Sequence, residues 1–203
     1  MVAEKRNIVI VGSAYPLRGG GITTYNELLA TKLQEDGHTV RIVTFSLQYP
    51  SLLFPGKSQY TDEVRAEHLD IEIAVNSINP FNWIAVGNRL KTEKPDLVIM
   101  RYWMPFMAPC LGTIARRVKS NGHTRVVAIA DNVIPHEQNF FDKPLTQYFV
   151  NSCDGFVTMS KSVLEDLLTF TSGQATAYNP HPMYENFGEE MAKSEARAKL
   201  GLN

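Results

Sequence analysis

Residues 8–22 read IVIVGSAYPLRGGGI. The first four are apolar and β-branched with no polar residue between them, which is what a strand buried on both faces of a parallel sheet requires. Gly12 ends the run, and after six intervening residues come Gly19, Gly20 and Gly21. From there Ile22, Tyr25, Leu28, Leu29 and Leu33 recur at helical spacing until Gly37, a residue suited to a helix C-terminus. Strand, glycine loop and helix in this order place backbone N–H groups at the carboxyl end of a strand, where open parallel sheets take anions. Two readings of the three glycines follow: a loop that needs unusual backbone angles, or a backbone brought close to a phosphate or a sugar.

The same alternation extends outward. Gly37-His38 turns into a second strand, Val40-Arg41-Ile42-Val43, and further strands fall at Leu97–Met100, Val126–Ile129 and Phe156–Met159. Helices are expected at Ala108 to Ser120 and after Ser162, where Ser162 and Glu165 have capping-box spacing ahead of Val163, Leu164, Leu167 and Leu168. Repeated strand then helix predicts an α/β chain with a Rossmann-like, doubly wound parallel sheet. Residues 46–70 show neither period and predict a long loop, a feature that usually has a functional reason. Ala192 to Leu200 starts an amphipathic helix with no closing element behind it, so the chain is expected to be cut from a longer one.

The 203 residues are 44% hydrophobic and 20% charged with a formal net charge of -1, which excludes a disordered or collagen-like chain. Twenty basic against 21 acidic residues give no overall field for nucleic acid, so none is expected as a partner. No apolar run reaches the roughly 20 residues of a membrane span, and Met1 to Arg6 leads into a strand without a signal-peptide core, so a cytoplasmic location is expected. Cys110 and Cys153 sit among apolar neighbours and read as buried thiols. The dinucleotide fingerprint is absent: the glycine spacing is wrong and Val43-Thr44-Phe45 offers no acidic residue for a ribose. Pro55-Gly56-Lys57-Ser58 is not a P-loop, because Ser51 stands where its first glycine belongs. No histidine pair has zinc spacing and no Gly-x-Ser-x-Gly elbow occurs, so neither a metal nor a serine nucleophile is expected. Arg101, Arg116, Arg117, Lys119 and Arg125 fall in a window without an acid. They read either as a solvated face or as attraction to an anionic membrane surface or a phosphorylated acceptor.

Taken in order, several segments make the chain resemble the N-terminal half of a GT-B glycosyltransferase of the retaining group called family four. They are Ile8 to Ile22, Gly37-His38-Thr39-Val40, Pro95 to Ile99, Asp154 to Ser160, and Asn179 with Phe187. The resemblance implies one half of a GT-B fold, with residues 1–180 as the acceptor-binding domain and 181–203 starting the linker to a donor-binding domain beyond Asn203. It implies sugar transfer with retention from a nucleotide-sugar co-substrate, UDP- or GDP-linked, to a glycan or lipid-linked acceptor in polysaccharide biosynthesis, without metal or other cofactor. The 203 residues alone are expected to be inactive, and Leu52-Leu53-Phe54 with the basic run implies a peripheral contact with the inner membrane face.

Chemically such a site must steady an oxocarbenium-like carbon, neutralise a departing diphosphate and take a proton from a hydroxyl. The amides of Gly19, Gly20, Gly21 and Ile22 suit the diphosphate. Many family members carry a histidine after the fifth strand where this chain has Ala130-Asp131, so Asp131 and His136 are the candidates for orienting the hydroxyl or taking its proton. Arg101, Asn132, Glu137, Ser160 and Lys161 complete the expected substrate-binding set. Another departure is Asn179-Pro180-His181, where members have Asn-Gly-Val. A sugar-nucleotide epimerase and a non-catalytic α/β ligand-binding or regulatory module are the alternatives to a transferase.

Overall fold

The computed structural model describes residues 4–50, 58–61, 64–135, 137, 139–182 and 191–202. In chain order the elements are β1 (Asn7–Val11), α1 (Gly21–Glu35), β2 (Thr39–Leu47), β3 (Asp70–Asn76), α2 (Pro80–Glu93), β4 (Leu97–Tyr102), α3 (Ala108–Lys119), β5 (Arg125–Ala130), α4 (Asp142–Val150), β6 (Gly155–Thr158), α5 (Lys161–Leu168), β7 (Ala175–Tyr178) and α6 (Lys193–Lys199). The seven strands form one parallel sheet in the order β3-β2-β1-β4-β5-β6-β7. The chain winds outward from β1 to β3, then crosses to β4 and winds the other way. The carboxyl ends of β1 and β4 therefore flank the switch point, where such sheets open a crevice.

Period two explains why β1 is apolar throughout. Val9 and Val11 join the larger core, with Val98, Met100, Leu111, Ile114 and Phe149, beneath α2, α3 and α4. Ile8 and Ile10 face the other way and join Ala30, Val40 and Ile42 beneath α1. Both faces are covered, so no polar residue fits in the strand.

The elements β3, α2, α4 and β7 were not foreseen. In the edge strand β3 Ile71 and Val75 are buried but Ile73 between them is exposed, and a register shift against β2 after Thr44 sends Ile71 and Val75 into different cores, which hides the period. Helix α2 is set by Asn79, whose side chain accepts from Phe81 N–H at 3.0 Å and Asn82 N–H at 3.2 Å, with Pro80 in the first turn. The expected capping box does not form: Ser160 holds the N-cap position of α5 without a side-chain cap bond, and Ser162 lies inside the helix with its Oγ 2.8 Å from that of Ser160.

Cys110 and Cys153 are both buried in the larger core. Burial pushes the Cys153 thiol up to about 12 and Cys110 further still. An Ellman assay is expected to find both thiols silent in the native chain and both reactive in denaturant. Rapid reaction of either before unfolding would contradict that packing.

Candidate functional site

Register puts three chemical groups at the switch point. Val11 pairs with Met100, so the next residues, Gly12 and Arg101, stand side by side; Asp131 follows β5, its N–H donating to Tyr102 O at 2.8 Å. A Cβ on Gly12 would stand 3.0 Å from Arg101 Cβ and 2.7 Å from Asn26 Nδ2. Only glycine admits both neighbours without a shift.

Arg101 is 2% exposed. Its Nε and Nη2 donate to the two Asp131 oxygens, each at 2.5 Å, a bidentate pair. The guanidinium lies 4.2 Å from the Tyr25 ring centroid, and the His181 ring meets Tyr25 edge-on at 5.5 Å. Arg101 Nη1 is buried without a hydrogen-bond partner, as is Asn26 Oδ1. Burial raises the Asp131 carboxyl above its usual range, opposed first by Arg101 and then by His181. With one lone pair of each oxygen spent on Arg101, the carboxylate can still accept from a hydroxyl on its open side. It is suited to orienting that hydroxyl.

The glycine loop has a different geometry. Gly20 caps α1 with φ −177°, extended backbone that any residue adopts, and nothing lies within 4 Å of where a Cβ would stand on Gly20 or Gly21. Neither unusual angles nor internal packing requires glycine at these two positions. They open onto a cavity of about 220 Å³ walled by Ser13, Arg18, Ile22, Gln48 and Tyr49. The segment after β2 is fixed over this cavity by Gln59. Its Oε1 accepts from the N–H groups of Gln48 and Tyr49 at 3.0 and 3.1 Å, its Nε2 donates to Tyr49 O at 2.9 Å, and its carbonyl accepts from Arg18 N–H at 2.7 Å. Trp103 Nε1–H donates to the Tyr49 hydroxyl at 2.6 Å and Phe106 stacks against the Tyr49 ring. Part of the long loop is thus a built wall.

The expected site residues fall into separate groups. Arg101 and Asp131 meet, with half-buried Asn132 next in sequence. Gly20, Gly21 and Ile22 share the cavity, and Gly19 lines a smaller neighbouring one beside Glu27. Ser160 and Lys161 start α5 at the end of β6, two strands from β4, with Lys161 Nζ 5.9 Å from the Tyr178 ring centroid. Glu137 is exposed. His136, Phe187 and Leu52 to Phe54 lie outside the described residues. The basic run does not gather into one patch. Arg101 is at the carboxyl edge; Arg116 lies over Tyr148 at 3.7 Å, and Lys119 pairs with Asp154 at 2.8 Å.

Tyr25, Asn26, Gln48 and His181 were missed. A signal existed for Asn26, because Thr23, Asn26 and Ala30 recur at buried helical spacing and two of the three are polar. His181 reaches the site from beyond β7, which no local pattern announces. Among the described residues no cluster of His, Cys, Asp or Glu could hold a metal ion, and no helix is long and apolar enough to cross a membrane.

The family model described as Glycosyltransferase Family 4 matches residues 19–175. No curated protein matches the chain. Among solved structures, an alpha-glucosyltransferase (AGT) in complex with UDP aligns with TM-score 0.53 and 12% identity over 87% of this chain and 44% of that one. A sucrose-phosphate synthase from Thermosynechococcus elongatus aligns with TM-score 0.47 and 11% identity over 96% and 95%. An α,α-trehalose 6-phosphate synthase from Burkholderia multivorans does so with TM-score 0.45 and 10% identity over 87% and 48%. The chain spans 41–44% of the length of the alpha-glucosyltransferase chains it matches.

Proposed function

The chain belongs to Glycosyltransferase Family 4, and from that premise we propose that it forms the acceptor-side wall of a retaining transferase that moves a sugar from a UDP- or GDP-linked donor to an acceptor hydroxyl. In that reaction the acceptor oxygen bonds to the anomeric carbon on the face the diphosphate leaves. The bond from that carbon to the diphosphate breaks, and the hydroxyl proton passes to the departing phosphate oxygen. The amides of the first turn of α1 face the negative charge, and Asp131, held by Arg101, orients the hydroxyl. A second domain supplies the rest of the donor contacts.

One observation carries this reading: Gly20 and Gly21 open onto a cavity at the sheet's carboxyl edge, with space where side chains would stand and no demand for glycine from the fold itself. In the full-length enzyme Gly20→Leu is expected to leave the melting temperature unchanged and to cut transfer of radiolabelled sugar by about a hundredfold, the scale of losing one preorganised donor. Unchanged transfer by a folded variant would refute it.

A further inference from the structure

Arg101 makes fewer hydrogen bonds than its burial calls for. Among the described residues its one ion pair is with Asp131, through Nε and Nη2, and Nη1 is buried without a hydrogen-bond partner. A side chain 2% exposed cannot recover from water what Nη1 lacks. What lies against the cation is the Tyr25 ring, with the guanidinium carbon over its face at 4.2 Å from the centroid. That face is the negative side of the ring quadrupole, and its attraction for a cation is strongest where water is excluded.

Helix α1 sets the ring in place. Thr23, Asn26 and Ala30 are its buried positions, and half-buried Tyr25 beside them packs on the smaller core, so the ring is not free to swing. The Tyr25 hydroxyl has no hydrogen-bond partner among the described residues. The ring face is therefore what the site uses. Two hydrogen bonds tie the Asp131 carboxylate to the guanidinium, but Arg101 carries that group on a long flexible stem, so they do not by themselves fix where the pair sits. Contact with a packed ring does.

We infer that Tyr25 is a positioning residue: its ring stands in for the missing partner of the Arg101 guanidinium and so holds the Asp131 carboxylate in the orientation that receives the acceptor hydroxyl. The inference rests on the acceptor-side reading above and adds a residue that acts through Arg101.

The test compares Tyr25→Phe, which keeps the ring, with Tyr25→Leu, which keeps apolar volume alone. In the isotopically labelled 203-residue chain, NMR identifies the Arg101 Nε–H signal by its loss in Arg101→Met. Its exchange with water is expected to be about tenfold faster in Tyr25→Leu, where the guanidinium is no longer held, and unchanged in Tyr25→Phe. In the full-length enzyme, assayed by transfer of radiolabelled sugar, Tyr25→Leu should lose about tenfold in kcat with the donor KM unchanged, since a misplaced group costs rate. Tyr25→Phe should match the parent. Tyr25→Leu combined with Arg101→Met should transfer as well as Arg101→Met alone, because the ring acts through that cation. Slow Nε–H exchange retained in Tyr25→Leu, an equal loss in Tyr25→Phe, a loss confined to KM, or losses that multiply in the double variant would each overturn the inference. Tyr25→Met repeats the comparison if Tyr25→Leu unfolds. The Nε–H measurement needs no substrate and the Gly20→Leu assay does not involve Tyr25, so failure of the inference and failure of the transferase reading are read separately.

Discussion

Arg101→Met is expected to melt about 10 °C below the parent chain and, in the full-length enzyme, to lose about a hundredfold in transfer. The methionine keeps most of the stem and removes the guanidinium, so Asp131 is left as a largely buried carboxylate with neither of its 2.5 Å partners. Breaking such a pair costs about 3–5 kcal/mol, and a chain of this size loses roughly 2–4 °C per kcal/mol. The loss should depend on pH. Burial already raises the Asp131 carboxyl, and deleting the cation that opposes this raises it further. A carboxyl raised in the folded state binds protons there that the unfolded chain has released, so stability falls as pH rises from the ordinary carboxylate value toward the folded one. The variant should therefore approach parent stability in acid and show its full deficit near neutrality. Adding Asp131→Asn should recover part of the melting temperature and none of the turnover. A single variant melting within about 2 °C of the parent at neutral pH would show that the pair contributes little.

Phe149→Ala should be nearly as damaging, and for reasons remote from chemistry. The ring is fully buried and stacks on Tyr102 with centroids 4.3 Å apart and planes 9° from parallel. The Tyr102 hydroxyl in turn lies 3.0 Å from Thr146 Oγ1, one turn back on α4. Deleting the ring opens a cavity between α4 and β4, at a cost of about 3–5 kcal/mol, readable as a fall in the denaturant midpoint at constant m-value. Phe149→Leu keeps apolar volume and should cost less. Because Tyr102 directly follows Arg101, part of the loss should also register as reduced transfer in the full-length enzyme. A midpoint unchanged in Phe149→Ala would mean that α4 packs otherwise.

The sheet was legible wherever a strand is buried on both faces. Ile8 to Val11 and Val126 to Ile129 are apolar because both sides are covered, and a single sequence carries that directly; Val40, Ile42 and Val43 are buried around a half-buried Arg41. Asp70–Asn76 was illegible because an edge strand with one half-open face mixes Glu72 and Ile73 among its buried residues. The glycines lie at the carboxyl edge of the sheet, as their place after β1 implied, and the observed φ of Gly20 removes the backbone-angle explanation there. Arg101 and Asp131 could each be nominated, yet their pairing depends on β4 and β5 lying side by side, which spacing along the chain does not encode. The Gln59 clasp is less accessible still. Its hydrogen bonds join two irregular segments, so no periodicity marks it.

The ring contact between His181 and Tyr25 joins the exit of the sheet's last strand to its first helix across the carboxyl edge. An edge-to-face contact contributes about 1 kcal/mol, and the same Tyr25 ring carries the Arg101 guanidinium at 4.2 Å. One aromatic ring thus couples the packing of the post-β7 segment to the buried cation at the switch point.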